Sequence, residues 1–126
     1  MDCTVCKRNW RETAKGEGKL MAIVAVDFDM TIHNASQPKP GKRMGEPMPG
    51  AVEAMQALKA AGNILIVHTV WRQDRWHVIR EWCDYYHIPY DDVTNIKPTA
   101  TAYIDDRAIR FEGSWPDVLE KIYESR

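Results

Sequence analysis

Apolar residues along the chain fall into short runs separated by polar stretches rich in proline and glycine. "MAIVAVDF", residues 21 to 28, is almost continuously apolar and β-rich. That is the pattern of a central parallel strand buried on both faces. "NILIVHT" is a second run of the same kind, and "IPYDDVTNI" and "TAYID" hold two shorter ones. Between the strands the period changes. In "PGAVEAMQALKAAG", Val52, Met55 and Leu58 or Ala57 recur at helical spacing. Pro49 suits the first turn of that helix and Gly62 its C-terminal stop. In "RQDRWHVIREWCDYYH", Trp76, Ile79, Trp82 or Cys83, and Tyr86 share one helical face. "WPDVLEKIYES" predicts a closing helix, with Pro116 in its first turn and Val118, Leu119 and Ile122 inward. Strands alternating with helices imply a parallel, doubly wound α/β sheet. Right-handed crossovers in such a sheet place ligand sites at the carboxyl ends of the strands.

Two segments stand outside this pattern. Residues 30 to 48, "MTIHNASQPKPGKRMGEPM", carry three of the seven prolines and two of the seven glycines. They predict a long loop or a short hairpin flap, and loops of this length in compact domains are usually functional. Residues 1 to 20 are polar, lack periodicity and end in "KGEGK", which reads as a mobile arm. Met21 is a candidate start, so the expected organisation is an arm over 1–20 and one folded domain over 21–126. The 126-residue length fits one domain of ordinary size.

Composition narrows the function classes. The chain is 44% hydrophobic and 28% charged, with a formal net charge of -1 from 17 basic and 18 acidic residues. That balance exerts no global pull on nucleic acid or membrane. No apolar run approaches the roughly 18 residues of a spanning helix, and the N-terminus has no signal-peptide core. Cys3, Cys6 and Cys83 are too few for a disulfide framework, so a reducing, cytoplasmic setting is the simplest reading. Cys3-x-x-Cys6 is half a zinc site with no second pair at the usual spacing. The four histidines, His33, His68, His77 and His87, show no metal-ligand spacing.

Each strand end carries a polar group. The first ends in Asp27 and Asp29 with Thr31, the second in Thr69, and the fourth in Asp105 and Asp106. Lys97 lies just before the fourth. Several carboxylates in one crevice repel each other. A hard divalent cation resolves this, and magnesium is the usual one. Lys97 adds a second positive charge and Thr69 a hydroxyl, which together make a receptor for a phosphate group. If the chain stays extended, Asp27 and Asp29 point to one face. A carboxylate nucleophile then has a carboxyl acid/base as its neighbour, suited to moving a phosphoryl group to an aspartate and then to water. Against this stand plainer uses: aspartates as caps or turn residues, a solvated lysine, and Asp105 and Asp106 paired with Arg107 or Arg110. Trp71 and Trp76 read as packing residues.

These residues resemble the haloacid dehalogenase-like superfamily. "DFDMT" looks like its D-x-D-x-T first motif, "ILIVHT" its second, Lys97 in "NIKPTA" its third, and "YIDD" its fourth, all in order over 21–126. The resemblance implies a Rossmann-like hydrolase domain and a magnesium-dependent phosphomonoester hydrolase. Asp27 would be the nucleophile and Asp29 the general acid and base. Thr69 and Lys97 would bind the phosphoryl oxygens, with Thr31 beside them. The metal would be held by Asp27, the backbone carbonyl of Asp29, and Asp105 or Asp106. Two positions depart from the family pattern. Met30 stands where glycine is common, which demands an ordinary backbone conformation there. Arg72, a candidate substrate phosphate contact, is displaced by one position from a common spacing.

The spans from Thr31 to Thr69 and from Thr69 to Lys97 are too short for a cap domain. A capless, open site suits a large phosphorylated substrate, or a partner subunit acting as a lid. A nucleic-acid or nucleotide 3′-phosphatase is the narrower alternative, guided by Lys39, Lys42 and Arg43 of the flap with Trp71, Arg72 and Arg75. A second copy of the chain stays open as a partner, a membrane does not. An alternative of another class is a non-catalytic binding module that keeps the fold and the metal.

Overall fold

A computed structural model describes residues 22–38 and 44–124. The proposed arm with Cys3 and Cys6, and the flap residues Lys39, Lys42 and Arg43, lie outside these. The elements in chain order are β1 (Ile23–Asp27), β2 (His33–Pro38), β3 (Gly45–Pro47), α1 (Ala51–Ala60), β4 (Ile64–His68), a short 3-10 turn (Gln73–Arg75), α2 (Trp76–Tyr85), β5 (Asp92–Thr94), β6 (Ala102–Ile104) and α3 (Trp115–Glu124). Strands β5, β4, β1 and β6 form one parallel sheet in that order. The expected α/β, Rossmann-like arrangement is therefore present. Within segment 30–48, strands β2 and β3 pair antiparallel, and the described residues form no separate cap domain. Among the described residues, no helix is long and apolar enough to cross a membrane.

The sheet's two faces differ. Val24 and Val26 of β1 and Leu65 and Val67 of β4 pack with Met55 of α1 and Ile79, Trp82 and Cys83 of α2 in one buried cluster. Alternation along β1 then sends Ala25 and Asp27 to the opposite face. The register pairs Ala25 with Ile66 and Tyr103, and Asp27 with His68. Ala25, Asp27, Ile66, His68 and Tyr103 consequently share that second face. The parallel pairing brings the carboxyl ends of β1, β4 and β6 side by side, which is where the polar residues gather.

Two local expectations change. Helix α1 begins at Ala51, after Gly50 in a left-handed conformation (φ 81°), so Pro49 belongs to the turn before the helix and not to its first turn. The left-handed step swings the chain from the hairpin into the helix, and glycine takes it without a Cβ penalty. Helix α3 forms where its period places it, but Leu119 is 50% and Ile122 42% exposed, not inward. Helix α3 contributes no fully buried side chain, so an amphipathic pattern did not suffice to bury it.

Candidate active site

Strand β1 ends at Asp27 because the chain bends at Phe28 and turns through Met30 back into the hairpin. The turn is closed by backbone hydrogen bonds from Ile32 and His33 N–H to the Phe28 carbonyl, each 2.9 Å, and from Met30 N–H to the His33 carbonyl at 2.7 Å. Met30 adopts φ 67°, the left-handed region. The expectation of an ordinary backbone conformation there is overturned: the tight return demands the bend whatever residue occupies it. A non-glycine residue in that region costs about 1–2 kcal/mol. Met30→Gly should therefore raise unfolding stability by about 1 kcal/mol in urea titration. A lower midpoint would mean that the methionine side chain contributes more packing than the backbone loses.

The bend also ends the assumption of an extended D-x-D. Asp27 and Asp29 take different partners. Asp27 is half-buried and its carboxylate clusters with Asp105 and Asp106, one oxygen of each within 4.8 Å of the others. Thr31 Oγ1 lies 3.3 Å from Asp27 Oδ2 and 3.5 Å from Asp106 Oδ1, so its one proton serves one carboxylate at a time. Burial, then the charges of Asp105 and Asp106, push the Asp27 carboxyl up to about 6. Asp105 also accepts the Arg107 backbone N–H at 2.8 Å, which orients it. Arg107 Nε is 3.8 Å from Asp106 Oδ2 and largely exposed. Three hard oxygen donors crowded together fit a divalent cation such as magnesium, because the cation supplies the missing positive charge.

Asp29 is held in a different way. His33 Nδ1 is 2.9 Å from Asp29 Oδ1, and Trp71 Nε1–H donates to Asp29 Oδ2 at 2.8 Å. The Gly45 backbone N–H donates to His33 Nε2 at 2.8 Å. That nitrogen must therefore carry a lone pair, so the ring proton sits on Nδ1 and points at Asp29. Trp82 Nε1–H donates to the Gly45 carbonyl at 3.0 Å, tying the same flap residue to α2. Phe28, fully buried, stacks on His33 at 5.0 Å and meets Trp71 and Trp82 edge-on at 5.7 and 5.3 Å. The His33 hydrogen bond, assisted by Trp71, outweighs burial and holds the Asp29 carboxyl below its ordinary value. Asp29 rests as an ionised acceptor with both oxygens engaged.

The sequence did not mark His33 as a partner of Asp29, and offered Trp71 for packing or for guiding a nucleic-acid end instead. His33 follows Asp29 by four residues, a spacing that only a tight turn converts into a contact. Trp71 is 42 positions away from Asp29 and left no local signal.

The remaining candidates divide. Thr69 is 2% exposed at the end of β4. Its Oγ1 accepts the Trp71 backbone N–H at 3.1 Å, which leaves its own O–H to donate. Lys97 forms no ion pair with Asp27, Asp105 or Asp106 within 4.0 Å; its Nζ lies over the Tyr103 ring, 4.8 Å from the centroid. It nonetheless lines the same cavity as Asp105. Arg72 stays on the surface, 3.7 Å from Asp74 with its side chain 87% exposed, and is not drawn to the acidic cluster. Arg75 lies over the Trp71 ring at 5.1 Å.

No family model and no curated protein matches the chain. Among solved structures, a conserved protein from Bacteroides thetaiotaomicron is similar over 85% of this chain and 93% of its own, with 27% identity and a TM-score of 0.59. A target protein from Vibrio cholerae is similar over 84% of this chain and 100% of its own, with 21% identity and a TM-score of 0.50. At that identity the second likeness is one of fold alone.

Proposed function

We propose that this chain is a magnesium-dependent phosphomonoester hydrolase that works through an aspartyl-phosphate on Asp27, as a capless member of the haloacid dehalogenase-like superfamily. The observation that carries the reading is the meeting of Asp27 with Asp105 and Asp106 at adjacent strand ends. Beside it, the separate clamp on Asp29 supplies a second carboxylate with a different task.

In this reading an Asp27 oxygen bonds to phosphorus as the bond to the leaving oxygen breaks, and the departing oxyanion takes a proton from solvent. Water then attacks the same phosphorus, Asp29 takes its proton and returns it to solvent, and the Asp27 oxygen leaves as a carboxylate with inorganic phosphate released. The ionised resting state of Asp29 suits this second step. The Thr69 O–H is free to donate to a phosphoryl oxygen, and Lys97 borders the site with positive charge. Magnesium, held by the carboxylates of Asp27, Asp105 and Asp106 and the Asp29 carbonyl, would neutralise charge on the phosphoryl oxygens.

A screen of phosphate monoesters with and without magnesium tests the reading. Turnover that requires magnesium and is lost with a chelator is the expected result. Magnesium binding with no turnover on any monoester would instead favour a non-catalytic binding module.

A further inference from the structure

A cavity of about 610 Å³ lies on the second face of the sheet, lined by His68, Lys97, Tyr103, Asp105, Ile109 and Arg110 among others. Its position follows from the register. Asp27 pairs with His68, and Ala25 with Tyr103, so the side chains of His68 and Tyr103 leave the sheet on the same side as the Asp27 carboxylate. Asp105 belongs both to the cavity wall and to the acidic cluster. The cavity therefore adjoins the site where the phosphate would be cleaved. Its volume falls in the range that holds small organic ligands, roughly 300–1,000 Å³.

Its charge is unbalanced. With Asp105 committed to the acidic cluster, the wall keeps two cations, Lys97 and Arg110, and no other carboxylate. Among the described residues neither cation has a carboxylate within 4.0 Å, whereas Lys59, Arg72, Arg80, Arg107 and Lys121 each do. Tyr103 offers a ring face in the same wall, with the Lys97 ammonium over it. Two uncompensated cations around a concave, partly aromatic surface attract an anion and hold it by charge-assisted hydrogen bonds.

We propose that this cavity is a leaving-group subsite, and that Arg110, assisted by Lys97, selects phosphate esters whose leaving group carries a second anionic group. The second anion is a carboxylate or a further phosphate. This specificity rests on the hydrolase reading above. Arg110 touches no residue of the acidic cluster in any described contact, so it acts on selection and not on the chemical step.

The test compares phenyl phosphate, 4-carboxyphenyl phosphate and benzene-1,4-diyl bisphosphate as substrates of the full chain and of Arg110→Gln, with magnesium present. The full chain should show kcat/KM at least about tenfold higher for one or both doubly anionic esters, and which one identifies the second anion. Arg110→Gln should bring that ratio toward one and leave phenyl phosphate within about twofold. A ratio of one in the unmodified chain, or an equal loss on all three esters in the variant, overturns the proposal. If the unmodified chain hydrolyses none of the three, the hydrolase reading fails, and calorimetry decides the subsite separately. With 4-carboxyphenyl phosphate as the probe, about tenfold weaker binding to Arg110→Gln upholds an anion subsite. Equal or undetectable binding by the two proteins rejects it.

Discussion

Asp27→Asn is expected to abolish hydrolysis of an aryl phosphate, lowering kcat by about 10⁴-fold or more, with the fold retained. Asparagine keeps the size of the side chain but cannot form the acyl-phosphate that the mechanism needs. The same substitution has a second, opposite consequence. In the metal-free protein, burial and the neighbouring Asp105 and Asp106 raise the Asp27 carboxyl from 3.8 to about 6. A group whose proton affinity is higher in the folded than in the unfolded chain contributes stability that is complete below the unfolded value. That stability is lost as pH rises through the folded value. Metal-free protein should accordingly lose thermal stability between about pH 4 and 6 from this carboxyl. Asp27→Asn should flatten that part of the profile and raise the melting temperature at pH 7 to 8. Magnesium should then stabilise the unmodified protein above pH 6 more than it stabilises the variant. Scanning calorimetry at several pH values, with and without magnesium, reads all of these. A variant that turns over at the unmodified rate would remove Asp27 from the mechanism.

Asp29→Asn should cut steady-state turnover by about 10²–10⁴-fold and should act mainly on the second step. The reason is the way Asp29 is held. Its two oxygens accept from His33 and Trp71 at 2.9 and 2.8 Å, and the first of those donors is itself set by the Gly45 backbone N–H. The resting group is a fixed carboxylate positioned to take a proton from water, and it stays ionised to lower pH than an ordinary aspartate because its carboxyl lies below the ordinary value. In the variant, the amide nitrogen would face one donor and could take no proton. Phosphorylated Asp27 should build up, so acid quenching after mixing with radiolabelled substrate should trap more covalent phosphate than in the unmodified protein. If covalent phosphate stays low and only its formation slows, Asp29 acts in the first step instead. His33→Ala, by freeing one Asp29 oxygen and one flap contact, should reproduce a weaker form of the same defect.

The comparison of these two carboxylates shows why part of the site was legible in the sequence and part was not. "IVAVD" and "ILIVH" announced themselves as buried parallel strands because both are nearly all apolar, and both occupy the sheet centre. Once β1 and β6 were parallel neighbours, the meeting of Asp27 with Asp105 and Asp106 followed from strand ends alone. The partners of Asp29 did not follow. They depend on a left-handed turn at Met30, on the return of the hairpin to place Gly45, and on a tryptophan beyond the next strand.

The hydrophobic pattern by itself indicated the four strands of the parallel sheet and the three helices, and the residues that follow the strands placed acidic groups at its carboxyl edge; it left segment 30–48 open between a loop and a hairpin. Periodicity is a short-range property, and each of these rests on residues close together in the chain. Only the tertiary structure decided which faces are covered and which polar atoms meet. It left Leu119 and Ile122 of α3 exposed, set Lys97 over Tyr103, kept Arg72 on the surface, and aimed His33 and Trp71 at Asp29. Side-chain partnerships of this kind depend on distances between distant segments, and pattern along the chain carries no record of those distances.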